Sequence, residues 1–169
     1  MRRYVGIDPS TRTGFVALDE NGNVLKAKEL TGVGSKDPKR MVTLIDEIMR
    51  HIHENDKIVI EGFGFASQQA IQLGGIGWGI RMALFRRKMK YIEVTPNTVK
   101  KFATGKGNAK KEDMILPIFK EWGFEHPSDN VRDAFVIAKI SQVLYSPVYS
   151  QLKKYQQEVI NSILKNLTR

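Results

Sequence analysis

Apolar positions in the first part of the chain form short runs that are separated by turn residues. Strands are predicted over residues 3–8, 15–18 and 24–30, and Asn21-Gly22 between the last two is typical of a tight hairpin. Strands joined by connections this short pair antiparallel. The pattern therefore predicts a three-stranded antiparallel meander at the N-terminus.

Beyond residue 40 the pattern alternates between helix and strand. Residues 41–52 carry apolar side chains at helical spacing, and residues 57–61 and 91–94 form two further strands. More helices are predicted up to about residue 88, over 96–102, over about 109–122, from about 128, and over 149–167. This order indicates one α/β domain with a mixed five-stranded sheet in residues 1–145, and a helical appendage in residues 146–169 that packs on the domain or extends it.

Two of the predicted strands end on an acid. Asp8 and Glu61 each follow several apolar residues, which places a carboxylate where it is partly removed from water. Such a charge is costly unless it is paired or bound to a cation. Asp129 and Asp133 are four residues apart at a helix start, so they share one face of that helix.

Four acids that converge from two strands and one helix would repel one another unless they held cations. Carboxylate oxygens are hard ligands that suit Mg²⁺, with Mn²⁺ as a substitute. In a chain whose overall charge is basic, such a cluster points to phosphoryl transfer with two metal ions.

The composition narrows the class of protein. Among 169 residues, 27 Lys and Arg oppose 18 Asp and Glu, and the net charge of +9 favours a polyanionic partner. The chain has no cysteine, which excludes disulfide scaffolds and Cys-ligated metal sites. Charges interrupt every long stretch, and no secretory signal follows Met1, so we expect a cytoplasmic protein without a membrane segment.

The acids lie within three short motifs. These are Gly6-Ile7-Asp8-Pro9-Ser10 with Gly14, Ile60-Glu61, and Asp129-Asn130-Val131-Arg132-Asp133-Ala134. As a set they resemble the RuvC family of Holliday-junction resolvases, its phage-type branch most closely, over residues 3–145. The resemblance implies an RNase H-like fold with helices on both faces of the mixed sheet. It also implies a metal-dependent endonuclease of recombination and repair, which resolves Holliday junctions and related branched DNA and leaves 5′-phosphate products.

The resemblance assigns the family's catalytic acids to positions in this chain. Asp8, Glu61 and Asp133 correspond to three of them and are expected to be metal ligands. The fourth falls on Asp129 or on Asn130. Asp129 is the preferred ligand, because a spacing of four keeps it on one helical face with Asp133.

Basic and aromatic residues accompany these acids. Lys111 matches a position where the resemblance implies a lysine near the scissile phosphate, and it joins the catalytic set. The candidates for DNA binding are Lys100, Lys101, Lys106, Lys110, Phe63 and Phe65. Lysines beside a glycine loop can neutralise phosphates, and a ring after Glu61 can wedge into the junction, as the family's aromatic does. Both rings are alternatively core residues.

A four-way junction has twofold character, and a twofold dimer presents two equivalent sites to it. The resemblance therefore implies a homodimer that acts on branched DNA, and no helicase partner is evident from the sequence. Other classes stay open: a branched-DNA-binding protein that does not cleave, a different RNase H-like nuclease, and an actin-like or sugar-kinase ATPase module. The last class is suggested by residues 6–11, but it requires two such domains and does not explain Asp133.

Overall fold

The computed structural model describes residues 1–64, 66–147 and 149–168, in which five strands form one mixed sheet. The strands are β1 (Tyr4–Asp8), β2 (Thr13–Leu18), β3 (Val24–Leu30), β4 (Lys57–Glu61) and β5 (Tyr91–Val94). Their order across the sheet is β3-β2-β1-β4-β5. The first three strands pair antiparallel, whereas β4 runs parallel to both β1 and β5. The predicted meander and the mixed five-stranded sheet are confirmed.

Helices cover both faces of this sheet. They are α1 (Lys39–His51), α2 (Ala70–Arg86), α3 (Pro96–Thr104), α4 (Ile115–Trp122), α5 (Asp129–Tyr145) and α6 (Lys154–Leu167). One core lies beneath α1 and α2, and the other lies beneath α3 to α6. Within the described ranges, no helix has both the length and the apolar character needed to cross a bilayer.

The alternation of side chains along the strands decides where the acids point. Tyr4 of β1 and Val59 of β4 belong to the core beneath α5, whereas their immediate neighbours in each strand belong to the core beneath α1 and α2. Strand side chains alternate with a period of two. Asp8 and Glu61 therefore end their strands on the α5 side of the sheet.

Two glycines let α5 approach the sheet closely. A Cβ on Gly6 of β1 would collide with the backbone of Ala134 and Ala138, and a Cβ on Gly14 of β2 would collide with the backbone of Asn130. Glycine is the residue that permits such a backbone approach. The first turns of α5 consequently lie against the carboxyl end of β1.

Two helix starts differ from the sequence-based predictions. The helix predicted over 109–122 begins as a 3₁₀ turn, Lys111–Met114, and becomes α-helical at Ile115. Pro117 then lies in the first turn of α4. N–H groups in this turn have no partner within the helix, so the missing N–H of proline costs no hydrogen bond. The last helix begins at Lys154, where Gln156 Oε1 accepts from the backbone N–H of Lys153 at 3.1 Å. Helix α2, whose start the sequence pattern left open, begins at Ala70.

Candidate active site

Three carboxylates meet at the carboxyl ends of the central strands. Asp8 ends β1, Glu61 ends β4, and Asp133 lies in the second turn of α5. Each offers one oxygen, and these oxygens lie within 4.8 Å of one another. The register explains the pairing, because Ile7 lies opposite Ile60 in the parallel strands and the next residues, Asp8 and Glu61, end these strands side by side.

Burial disfavours the ionised form of all three acids, and repulsion from neighbouring carboxylates within the group adds to this effect for Asp8 and Glu61. Asp8 is only 6% exposed, and burial, followed by the negative charges of Glu61 and Asp133, raises its pKa well above the ordinary value. Burial raises the pKa of Glu61 to about 7 and that of Asp133 to about 6. A divalent cation among these oxygens would relieve the repulsion, and an all-oxygen donor set suits a hard cation. The group is therefore chemically suited to hold metal, as the sequence predicted in general terms.

Asp129 lies at the start of α5 but outside this group of three. Its Oδ2 accepts a hydrogen bond from Lys111 Nζ at 2.5 Å. That bond lowers the pKa of the Asp129 carboxyl and raises the pKa of the Lys111 ammonium. In this structure, the residue that the sequence favoured as fourth ligand is the ion-pair partner of Lys111.

Asn130, the alternative fourth residue, lines the cleft beside Asp133. Its Nδ2 donates to Ser10 Oγ at 3.2 Å and to the Arg12 carbonyl at 2.8 Å. Both donors of the amide are thus used to attach α5 to the connection between β1 and β2. The side chain of Ser128 caps the same helix by accepting from the Val131 N–H at 3.3 Å.

The predicted basic residues lie at different distances from the acids. Lys100 and Lys111 line the same cleft as the three carboxylates. Lys101 instead donates to Glu158 of α6 at 3.0 Å. Lys106 and Lys110 are exposed and are not among the cleft-lining residues. The structure therefore brings two of the five lysines to the carboxylates.

An aromatic residue and an arginine complete the cleft wall next to Glu61. The Phe63 ring lies 5.4 Å from the Trp78 ring and 4.3 Å from the Arg81 guanidinium carbon. Phe65, the second aromatic candidate, lies outside the described residues. Arg81 was not among the predicted site residues, although a lone charge between apolar neighbours in the middle of α2 was a usable signal.

The fold and the site together define an RNase H-like protein with a carboxylate cluster, suited to hold metal, at the end of its central strands. The family model described as "Crossover junction endodeoxyribonuclease RuvC" matches residues 4–141. The chain therefore belongs to the RuvC family, and the predicted family and enzyme class are confirmed.

Individual relatives agree with this assignment. The chain is 29% identical over 148 residues to a crossover junction endodeoxyribonuclease RuvC of Campylobacter hominis, a match that covers 80% of this chain and 92% of that protein. It is 30% identical over 148 residues to the RuvC of Salinibacter ruber, over 79% of this chain and 81% of that protein.

Solved structures show the same fold. The structure of Thermus thermophilus RuvC matches with a TM-score of 0.65 at 21% identity, over 88% of this chain and 97% of that one. The same protein in complex with a Holliday junction substrate matches with a TM-score of 0.61 at 19% identity, over 85% and 93% of the two chains. The assignment to the phage-type branch stays a prediction.

Proposed function

We propose that this chain is a Mg²⁺-dependent endonuclease that cleaves four-way junctions and related branched DNA, leaving 5′-phosphate and 3′-hydroxyl ends. The observation that carries the proposal is the convergence of Asp8, Glu61 and Asp133 within one cleft that also contains Lys100 and Lys111. Membership of the RuvC family supports this reaction, and the solved relative that holds a Holliday junction supports this substrate.

Asp8, Glu61 and Asp133 would hold two divalent ions, Mg²⁺ with Mn²⁺ as a substitute. Such ions, when bound, supply an activated water and stabilise the charge that develops on the phosphate. Lys111 places an ammonium beside the acids, and Asp129 holds that ammonium in position and keeps it protonated. Asp129 would thus act through Lys111, while Asn130 fixes α5 against the β1–β2 connection.

The surface around the cleft would bind the DNA backbone. Lys100 at the cleft and the exposed Lys106 and Lys110 beyond it can neutralise successive phosphates. Lys101 can join them only by giving up its bond to Glu158. The Phe63 ring, two residues after Glu61, lines the cleft and would stack on an unpaired base at the branch point.

A homodimer would present two such clefts to the two strands of a junction. Helix α2 displays an apolar stripe that supports this assembly: Ile71 is 90% exposed, Trp78 56%, Met82 49% and Phe85 81%. Aromatic side chains and methionine are enriched at protein interfaces. In this proposal residues 1–145 form the nuclease domain, residues 146–169 add α6 to its core, and the enzyme acts in the cytoplasm.

The test is cleavage of a labelled four-way junction, a Y-fork and a linear duplex in the presence of Mg²⁺. We expect paired symmetric nicks in the junction, and we expect Asp8→Asn and Glu61→Gln to abolish them. Asp46→Asn, which changes an exposed acid on α1, is the matched control and should cleave normally. Junction binding without cleavage in either Mg²⁺ or Mn²⁺ would indicate a non-cleaving binding protein, and nucleotide hydrolysis without DNA cleavage would indicate an ATPase.

A further inference from the structure

Arg81 is a buried arginine in the wall of the cleft that contains the three carboxylates. Its side chain is 2% exposed, Nε pairs with Glu93 Oε1 at 2.5 Å, and Nη1 donates to the Gly77 carbonyl at 2.9 Å. Among the residues that the structure describes, the buried Nη2 has no acceptor. A buried guanidinium with an unused donor is unfavourable, and none of the described residues accepts a hydrogen bond from this one.

The ring of Phe63 covers this guanidinium. The guanidinium carbon lies 4.3 Å from the centre of the ring, a separation typical of a cation–π contact. The Phe63 ring can occupy this position because residue 77 is glycine, since a Cβ there would come within 2.5 Å of Phe63 Cε1. The ring of Phe63 therefore packs directly against α2, beside Trp78 and Arg81.

The backbone on the Gly64 side of Phe63 has room to rearrange, whereas the Gly62 N–H on the other side donates to the Val94 carbonyl at 2.7 Å. Phe63 stands between Gly62 and Gly64, and a Cβ added to Gly64 would meet no atom within 4 Å. Glycines on both sides lower the energy of backbone rearrangement. A base that stacks on Phe63 can therefore draw the ring outward, and this movement would expose Nη2 to the cleft.

We propose that Arg81 is a phosphate-binding residue of the DNA site, which Phe63 covers until DNA draws its ring away. The contacts with Glu93 and Gly77 fix the guanidinium plane, so Nη2 is already oriented when the ring moves. A guanidinium donor forms a strong, charge-assisted hydrogen bond to a phosphate oxygen. This inference rests on the proposed function, since it needs a branched DNA with a base available to Phe63.

The competing explanation is that Arg81 serves only to join α2 to β5 through its ion pair with Glu93. The two explanations differ for Glu93→Gln, which removes the ion pair but keeps the guanidinium. A purely structural Arg81 makes Glu93→Gln and Arg81→Gln behave alike. A phosphate-binding Arg81 makes them differ, because only Arg81→Gln removes the cation that meets the DNA.

The experiment measures the dissociation constants of a four-way junction and a linear duplex over a salt series, in an Asp8→Asn background that prevents cleavage. For Arg81→Gln we expect junction affinity to fall about tenfold and the salt slope to fall by about 0.9, the value for one phosphate contact, with the duplex unchanged. Arg86→Gln, an exposed arginine of the same helix, should match the background protein, and Glu93→Gln should bind the junction at least as tightly. An unchanged slope in Arg81→Gln, or equal losses in Arg81→Gln and Glu93→Gln, would overturn the inference.

A second measurement applies even if Arg81→Gln does not fold. With Trp122→Phe, Trp78 is the only tryptophan left, and its ring lies 5.4 Å from Phe63. Junction binding should change the emission of Trp78, whereas duplex binding should not; an unchanged emission on the junction would overturn the movement of Phe63. Failure of the proposed function would give a different result, because the Asp8→Asn protein itself would then bind the junction and the duplex with equal affinity.

Discussion

Lys111 Nζ lies 2.5 Å from Asp129 Oδ2, which fixes an ammonium at the edge of the carboxylate group. The lysine comes from a 3₁₀ turn and the aspartate from the first residue of α5, so the pair also fastens this turn to the helix. Asp129 and Asp133 share one helix but have different neighbours: Asp129 meets a cation, and Asp133 meets two further carboxylates.

The first prediction concerns the division of roles between these two aspartates. Asp129→Asn should reduce junction cleavage about tenfold, the effect of losing one charge-assisted hydrogen bond, and should leave metal affinity nearly unchanged. Asp133→Asn should abolish cleavage and weaken Mn²⁺ binding strongly. Calorimetric Mn²⁺ titration and single-turnover cleavage measure the two effects. Equal losses of metal affinity in both variants would indicate that Asp129 is a metal ligand and would contradict this prediction.

The second prediction is a pH dependence of stability in the metal-free protein. Burial raises the pKa of Glu61 from 4.5 to about 7, so between these values the folded state holds a proton that the unfolded chain has released. The free energy of unfolding should therefore fall as the pH rises through this window. Urea unfolding in EDTA at pH 5 and pH 8 measures this fall. Glu61→Gln should reduce it, and a wild-type protein that is more stable at pH 8 would contradict it.

The third prediction is stabilisation by metal. Because the three carboxylates come together only in the folded state, Mg²⁺ at a hundredfold excess over its dissociation constant should add about 2.7 kcal/mol to the free energy of unfolding. Asp8→Asn should lose most of this gain. Thermal unfolding with and without Mg²⁺ provides the measurement, and Asp46→Asn, which should gain as much as the wild type, is the control.

The fourth prediction concerns the close approach of α5 to the sheet. Gly6→Ala places a methyl group against the backbone of Ala134 and Ala138, so it should destabilise the fold by about 2 kcal/mol and displace Asp133 from its partners. Gly74→Ala, where a Cβ in α2 would meet nothing within 4 Å, should be neutral or slightly stabilising. Urea unfolding compares them, and equal stabilities would show that α5 can shift without loss.

The fifth prediction tests the α2 stripe as the dimer interface. Phe85→Glu should convert the protein to a monomer in sedimentation experiments, because it buries a charge in an apolar contact. Val42→Glu changes a comparably apolar exposed position, 54% exposed on α1, and should leave the assembly intact. If the Phe85→Glu variant still sediments as a dimer, the interface does not lie on the α2 stripe.

Most of the sheet and the three clustered acids could be predicted because short stretches of sequence encode them. Asp8 and Glu61 each follow a buried apolar run, so the local pattern located both carboxylates at strand ends. The helix around Asp133 was equally visible, because Ser128 and the apolar run after it mark its start.

What the sequence could not predict depends on contacts between distant segments. The partner of Asp129 is set by how the turn that carries Lys111 folds back onto α5, which no local pattern encodes. Arg81 was not predicted as a site residue, because its burial results from Glu93 on β5 and Phe63 after β4 closing around it. For the same reason, the sequence could not decide between Phe63 and Phe65 as the aromatic residue at the cleft.

The three carboxylates also lie far apart along the chain, at positions 8, 61 and 133. During synthesis on the ribosome, Asp8 and Glu61 emerge long before the helix that carries Asp133. A nascent or truncated polypeptide lacking that helix has no complete set of ligands. The carboxylate group therefore cannot form until residue 133 has been synthesised and α5 has packed against the sheet.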